Sequence, residues 1–199
     1  MRRLVFLLII ISSFTSYAQW SGRLEYVNFT KFHGQVFKPT AGLVVQYSKA
    51  DKYDNLRYGA TLGFRYYFTK ENSIPYLEIS NPINSTLIAI PSETVINKFY
   101  SFPLNIFLEY RFYDGKKLRP LLGLSPFIEL NQVDYHEASK VVKGGSYGVG
   151  ISQYIGASYL LNKKIEIVTR LTYEYTLRES TFYSYSKWLF SIGIIYYNY

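Results

Sequence analysis

The segment 165–178 alternates strictly. Ile165, Ile167, Thr169, Leu171, Tyr173, Tyr175 and Leu177 share one parity, and Glu166, Val168, Arg170, Thr172, Glu174, Thr176 and Arg178 share the other. A period of two places these sets on opposite faces of a β-strand, one oily and one largely charged. Seven further segments repeat the split, so the chain is expected to form a sheet with one predominantly apolar face.

The first segment sets Trp20, Leu24 and Tyr26 against Arg23 and Glu25, and the second sets Phe37, Ala41, Leu43, Val45 and Tyr47 against Thr40, Gly42, Gln46 and Ser48. In the third, Leu56, Tyr58, Ala60, Leu62, Phe64, Tyr66 and Phe68 oppose Arg57, Gly59, Thr61, Gly63, Arg65 and Thr69. The fourth has a depth profile: Tyr100 and Phe102, then Leu104, Ile106 and Leu108, then Tyr110 and Phe112, backed by Ser101, Asn105, Glu109 and Arg111. Aromatics flanking aliphatics mark a face that crosses a bilayer. The fifth carries Leu122, Leu124, Ile128 and Leu130 against Arg119, Gly123, Ser125, Glu129 and Asn131, with Pro120 and Pro126 counting against unbroken pairing. In the sixth, Tyr147 to Leu161 oppose a Gly- and Ser-rich parity, and Gln153 is the one polar intruder on the oily side. The last sets Trp188, Phe190, Ile192, Ile194 and Tyr196 against Ser191 and Gly193.

A soluble barrel also alternates, but with its oily face inward. Volume separates the two cases, because the oily parity is crowded with Phe, Tyr, Trp, Leu and Ile and the polar parity is rich in Gly, Ser and Thr. An eight-stranded barrel encloses only enough space for side chains, so the smaller set belongs inside. The polar parity also uses Arg and Glu while the lysines fall in loops, turns or strand ends, and a guanidinium is less costly to enclose than an ammonium. The predicted fold is all-β: a closed antiparallel up-and-down transmembrane barrel of eight strands. Its expected lumenal charge network is Arg23, Glu25, Arg57, Arg65, Glu109, Arg111, Arg119, Glu129, Glu166, Arg170, Glu174 and Arg178. Its expected aromatic girdle is Tyr100, Phe102, Tyr110, Phe112, Tyr173, Tyr175, Trp188 and Tyr196. A lumen filled in this way leaves no wide pore.

Connections after the second, fourth and sixth segments are short and the others longer, the arrangement of small barrels with periplasmic turns and outer loops. The longest, Lys70 to Asn97, holds two apolar pieces, 74–79 and 87–90, which form either an extra hairpin or two more strands of a ten-stranded barrel. Interruptions at Asn81, Pro82, Pro91 and Glu93 favour eight.

The amino terminus has a basic start (Arg2, Arg3), an apolar run from Leu4 to Ile11, and Ser16 and Ala18 before Gln19. That pattern predicts an export signal over residues 1–18 and a barrel domain over 19–199. The apolar run is too short for a membrane anchor. Without cysteine the chain has no lipidated cysteine, no disulfide and no thiolate metal site. Losing Arg2 and Arg3 with the leader lowers the formal charge from +8 to +6. The remaining basic residues are scattered, which argues against nucleic acid and for anionic headgroups. The 22 tyrosines and 14 phenylalanines suit a bilayer boundary better than a soluble core.

The chain resembles the small outer-membrane β-barrel proteins of Bacteroidetes type, the group of PorT-like and OmpX- or OmpA-like barrels. The resemblance rests on Ser101-Phe102-Pro103-Leu104, on Lys117-Leu118-Arg119-Pro120 followed by Gly123 and Ser125-Pro126, on the Gly-rich sixth segment, and on Arg170-Leu171-Thr172-Tyr173-Glu174-Tyr175. Ser191, Gly193 and Tyr196 look like the signal read by the barrel insertion machinery, although Asn198 stands where an aromatic is usual. The resemblance implies residence in the outer membrane of a Gram-negative bacterium, among its lipids and lipopolysaccharide, and carries over no catalytic residue or cofactor.

His33 and His136 are expected in outer loops. His136 lies among Asp134, Tyr135, Glu137 and Ser139, the residue types of a Ser/His/acid hydrolase acting on lipid A. Neighbours in one loop seldom assemble a triad, so no enzyme is expected. Gly144-Gly145 precedes no helix and cannot be a phosphate loop. The expected role is structural or surface interaction, with two alternatives: an accessory subunit of a secretion or assembly machine, as PorT-like proteins are thought to be, or a lipid A-modifying enzyme using His136.

Overall fold

A computed structural model describes residues 19–30, 37–51, 55–69, 77–80, 87–90, 95–112, 117–137, 140–179 and 186–197. The predicted leader, His33 and Asn198 lie outside them. Ten strands follow in order: β1 (Gln19–Phe29), β2 (Thr40–Ala50), β3 (Leu56–Tyr67), β4 (Leu77–Ser80), β5 (Leu87–Ile90), β6 (Val95–Arg111), β7 (Leu118–Glu137), β8 (Lys140–Leu160), β9 (Ile165–Glu179) and β10 (Ser186–Tyr197).

Eight of them close into an antiparallel up-and-down barrel, with β10 pairing back onto β1. β4 and β5 form a separate two-stranded sheet, so the insertion between β3 and β6 adds nothing to the wall. Where all eight strands pair, closure leaves no free edge, and only the projecting ends of β6, β7 and β8 extend beyond the closed wall.

Short turns gather at one end. Asp51 Oδ1 accepts from the amides of Asn55 and Leu56 at 2.8 and 3.1 Å, and Asn162 Oδ1 accepts from those of Lys164 and Ile165 at 2.8 and 3.0 Å. These side chains do locally what a backbone turn would, which is why Asp and Asn stand there.

At the other end the wall overshoots. β7 and β8 stay paired out to Glu137↔Lys140, and β6 follows β7 to Val95↔His136. At about 3.3 Å per residue the 21 residues of β8 extend to roughly 70 Å, and even at a tilt of about 40° this exceeds an apolar band about 25 Å tall. His136 is therefore on strand β7 and not in a loop, and Gly144-Gly145 lies within β8 opposite Val133 and Gln132. Beyond the closed wall a strand no longer separates a lumen from an outer face, so the alternation that marks a wall strand is not imposed there.

The prolines of β7 do not end it. Pro120 pairs with Ala157 and Pro126 with Ile151 on the β8 side. Toward β6 the ladder lapses between Asn105↔Phe127 and Leu108↔Leu124, where Pro126 offers no N–H. Ser125 Oγ fills the gap by donating to the Ile106 carbonyl at 2.7 Å.

Candidate functional site

The interior of the barrel holds the chain's densest chemistry, and alternation aims it there. Arg57, Arg65, Glu109, Arg111, Glu129, Glu166, Arg170 and Glu174 are buried, while the neighbours of opposite parity (Tyr58, Phe64, Leu108, Tyr110, Leu130, Leu171) are exposed on the outer wall. The side chains meet in two clusters.

Nearer the overshooting end, Arg65 is a hub. Its Nε donates to Glu25 at 2.9 Å, its Nη1 and Nη2 fork onto Glu174 at 2.9 and 3.0 Å, and Nη1 also reaches Glu129 at 3.3 Å. Lys187 Nζ donates to both Glu129 oxygens at 2.7 and 2.8 Å and lies 3.2 Å from Glu174. Ser101 Oγ adds a 2.7 Å bond to Glu129. Two cations thus face three carboxylates.

Nearer the short turns the balance reverses. Arg111 bridges Glu109 (Nε, 2.7 Å) and Glu166 (Nη1, 2.6 Å). Arg170 closes on Glu109, and Tyr197 both accepts from Arg57 and donates to Glu166. Arg23 and Arg170 share the carbonyl oxygen of Gln46. Arg170 also lies over the Tyr154 ring at 4.7 Å, and Arg57 over that of Tyr197 at 5.1 Å. Glu166 and Arg170 do not pair with each other along β9; each takes partners from other strands.

Between the clusters lies a cavity of about 20 Å³ bordered by Arg23, Asn105, Tyr154 and Arg170, the size of about one water molecule. Aromatics close the overshooting end: Phe37 stacks on Phe99 at 5.0 Å, Tyr67 stacks on Phe99 at 4.8 Å, and Phe29 leans on Tyr67 at 4.9 Å. Leu121, Tyr154, Val168, Ile195 and Tyr197 pack together toward the other end. Among the described residues, these side chains occupy the interior.

Three sequence expectations change here. Lys187, although at a strand end, is a fully buried lumenal cation; its parity, opposite to Trp188 and shared with Ser191, carried the signal. Phe37 is buried and not lipid-facing, because β2 starts only at Thr40 and Phe37 bridges Thr69 across the mouth. The interior parity is also less uniformly small than expected, since Tyr67, Phe107, Phe127, Tyr154 and Tyr197 all point inward. Glycine makes room for them: a Cβ on Gly123 would fall 2.2 Å from Tyr154 Cζ.

Of the remaining predicted lumenal residues, Arg23, Glu25 and Arg119 are buried, each 8% exposed. Arg178 lies on β9 opposite Val149, and its side chain is outside the described set. The outer wall carries Phe102, Tyr110, Phe112, Tyr175, Trp188 and Tyr196 exposed, with Tyr100 and Tyr173 half-covered. Tyr173 and Trp188 pack at 4.9 Å, and Tyr110 and Phe112 at 5.1 Å. Between these aromatics runs a belt of Leu, Ile and Val that encircles the barrel. Among the described residues no group of His, Asp or Glu side chains could hold a metal ion.

No protein-family model matches the chain, and no curated protein is significantly similar to it. Solved structures do resemble it. Neisserial surface protein A superposes with a TM-score of 0.60 at 14% identity, over 90% of this chain and 96% of that one. The outer membrane protein OprG of Pseudomonas aeruginosa gives 0.52 at 11% identity, over 92% and 96%. A major outer membrane protein of Thermus thermophilus gives 0.50 at 11%, over 91% and 99%. At such identities the likeness concerns the fold: the chain is built like small outer-membrane barrels.

Proposed function

We propose that this chain is a small integral outer-membrane protein whose work is done by its wall and its outward-projecting strands, with a lumen closed by ion pairs and no wide pore. One observation carries this reading: the exposed belt of large apolar side chains surrounds a core of arginine and glutamate, the inverse of a water-soluble barrel. In water such a belt would be one contiguous apolar patch far beyond what monomers tolerate. In a bilayer it is a solvated surface, and the aromatic rows at its two margins match the headgroup levels.

The long β7–β8 hairpin supports a surface-interaction role, because it offers a protruding sheet at the end opposite the short turns. A PorT-like accessory role within a secretion or assembly machine is a finer version of the same reading, with the hairpin as the contact. The export leader, insertion by the barrel machinery and contact with lipopolysaccharide belong to the proposal as well. So does the absence of catalysis: replacing His136 by Ala leaves the lipid A acylation pattern unchanged by mass spectrometry, and an altered pattern would revive the enzyme reading.

Membrane fractionation combined with gel mobility before and after boiling tests the central claim. The protein is expected in the outer-membrane fraction, with a folded band that shifts on heating. Recovery in the soluble periplasmic fraction with heat-insensitive mobility would overturn it.

A further inference from the structure

Within the lipid-facing belt one side chain is out of place. Gln153 lies on β8 midway between Tyr147 and Tyr159, so it sits near the centre of the apolar band. It is exposed, it is flanked across the ladder by Leu124 and Tyr173, and its carboxamide makes no hydrogen bond among the described residues. Thr169, the other polar belt residue at such depth, donates its hydroxyl to the Ala157 carbonyl at 3.3 Å. Gln153 presents unsatisfied donors and acceptors to hydrocarbon, which cannot answer them.

The wall around it is hollowed. A groove of about 530 Å³ runs past Gln153, bordered by Leu122, Leu124, Ile155, Leu171 and Trp188. Ile155, 64% exposed, stands as a ridge at its side. Acyl methylenes could fill the groove but leave the amide unpaired. An amide is its own complement, since two of them form a closed pair of N–H···O=C bonds. Two barrels inserted in the same orientation and related by a two-fold axis along the membrane normal carry identical residues at identical depth. Such an isologous contact brings Gln153 to Gln153 and sets the ridge of each copy against the groove of the other.

We propose that the chain forms a homodimer in the membrane through this face, locked by a reciprocal Gln153 amide pair. The proposal rests on the membrane reading above. Because the chain has no cysteine, one thiol introduced by Lys163→Cys in the exposed β8–β9 turn takes donor or acceptor dye outside the bilayer. Differently labelled proteins are mixed in phospholipid vesicles at increasing dilution, and flotation reads membrane insertion separately. Energy transfer is expected well above the random-proximity level, and the Gln153→Leu variant, whose leucine suits a lipid-facing strand, is expected to associate about tenfold more weakly. Leu43→Ala, on β2 at the opposite side of the barrel, leaves transfer unchanged. Floating protein without transfer overturns the dimer, and above-random transfer that is equal in Gln153→Leu overturns the Gln153 pair as its lock; neither outcome touches the membrane reading. A monomer that carries a lipid lost on Gln153→Leu, seen by native mass spectrometry, replaces the dimer with a lipid site. Failure to float removes the membrane reading and the dimer with it.

Discussion

Ser125 shows how a single hydroxyl keeps a proline inside a membrane strand. Its bond to the Ile106 carbonyl stands in for the N–H that Pro126 lacks. Removing it with Ser125→Ala orphans that carbonyl at a depth where water does not reach, so unfolding in urea from lipid vesicles is expected to show a loss of about 1–3 kcal/mol. A stability equal to the parent would mean that the carbonyl has another partner. The Glu129–Lys187 contact poses a sharper question, because buried ion pairs add little when intact yet cost much when halved. Glu129→Gln removes the closest carboxylate of Lys187 but leaves Glu174 at 3.2 Å from it and Glu25 with Arg65, so it is expected to cost about 1–3 kcal/mol. Lys187→Met alone leaves the carboxylates in excess. The double variant should be more stable than the sum of the singles by about 1 kcal/mol or more. Strict additivity in that cycle would show the two side chains to be energetically independent despite the 2.7 Å contact.

The β7–β8 hairpin separates into a part the barrel needs and a part it does not. Below Asn131↔Ser146 the strands carry lumenal side chains such as Glu129 and Ser152, whereas above it they pair mainly with each other and with the start of β6. Shortening the hairpin by deleting residues 134–143 and closing it with an Asn-Gly turn, a two-residue type I′ connection, is therefore expected to leave the heat-modifiable gel shift intact. Any binding to the bacterial surface or to partner proteins is expected to disappear with it. Loss of the folded band would show that the projection is part of the folding unit. The same element marks a limit of reading strands from alternation. The period is imposed by lipid on one side and lumen on the other, so it was legible from Leu118 to Asn131 and is not imposed beyond the closed wall.

For the molecule as a whole, a filled axis makes a transport prediction. With the aromatic group Phe29, Phe37, Tyr67 and Phe99 over one end, two ion clusters below it and a cavity of only about 20 Å³ between them, planar-bilayer recordings are expected to show no stable large conductance steps. Regular steps of porin size would contradict the plugged lumen. Much of this architecture was already legible in the chain: strand period is a local property of backbone geometry, and contact with lipid forces bulky apolar residues onto one parity over eight segments. From that period came the barrel, from the interruptions at Asn81, Pro82, Pro91 and Glu93 its strand number, and from side-chain volume the side on which arginine and glutamate lie. Which arginine meets which glutamate was not legible. Arg57 finds Tyr197, 140 residues away, and Arg65 collects carboxylates from β1, β7 and β9. Such partners depend on the stagger with which eight tilted strands close, a quantity that no single strand encodes. Lys187 and Tyr154 joined the interior for the same reason: parity turned them inward, but only the closed wall, with Glu129 opposite one and Gly123 beside the other, made places that could hold them.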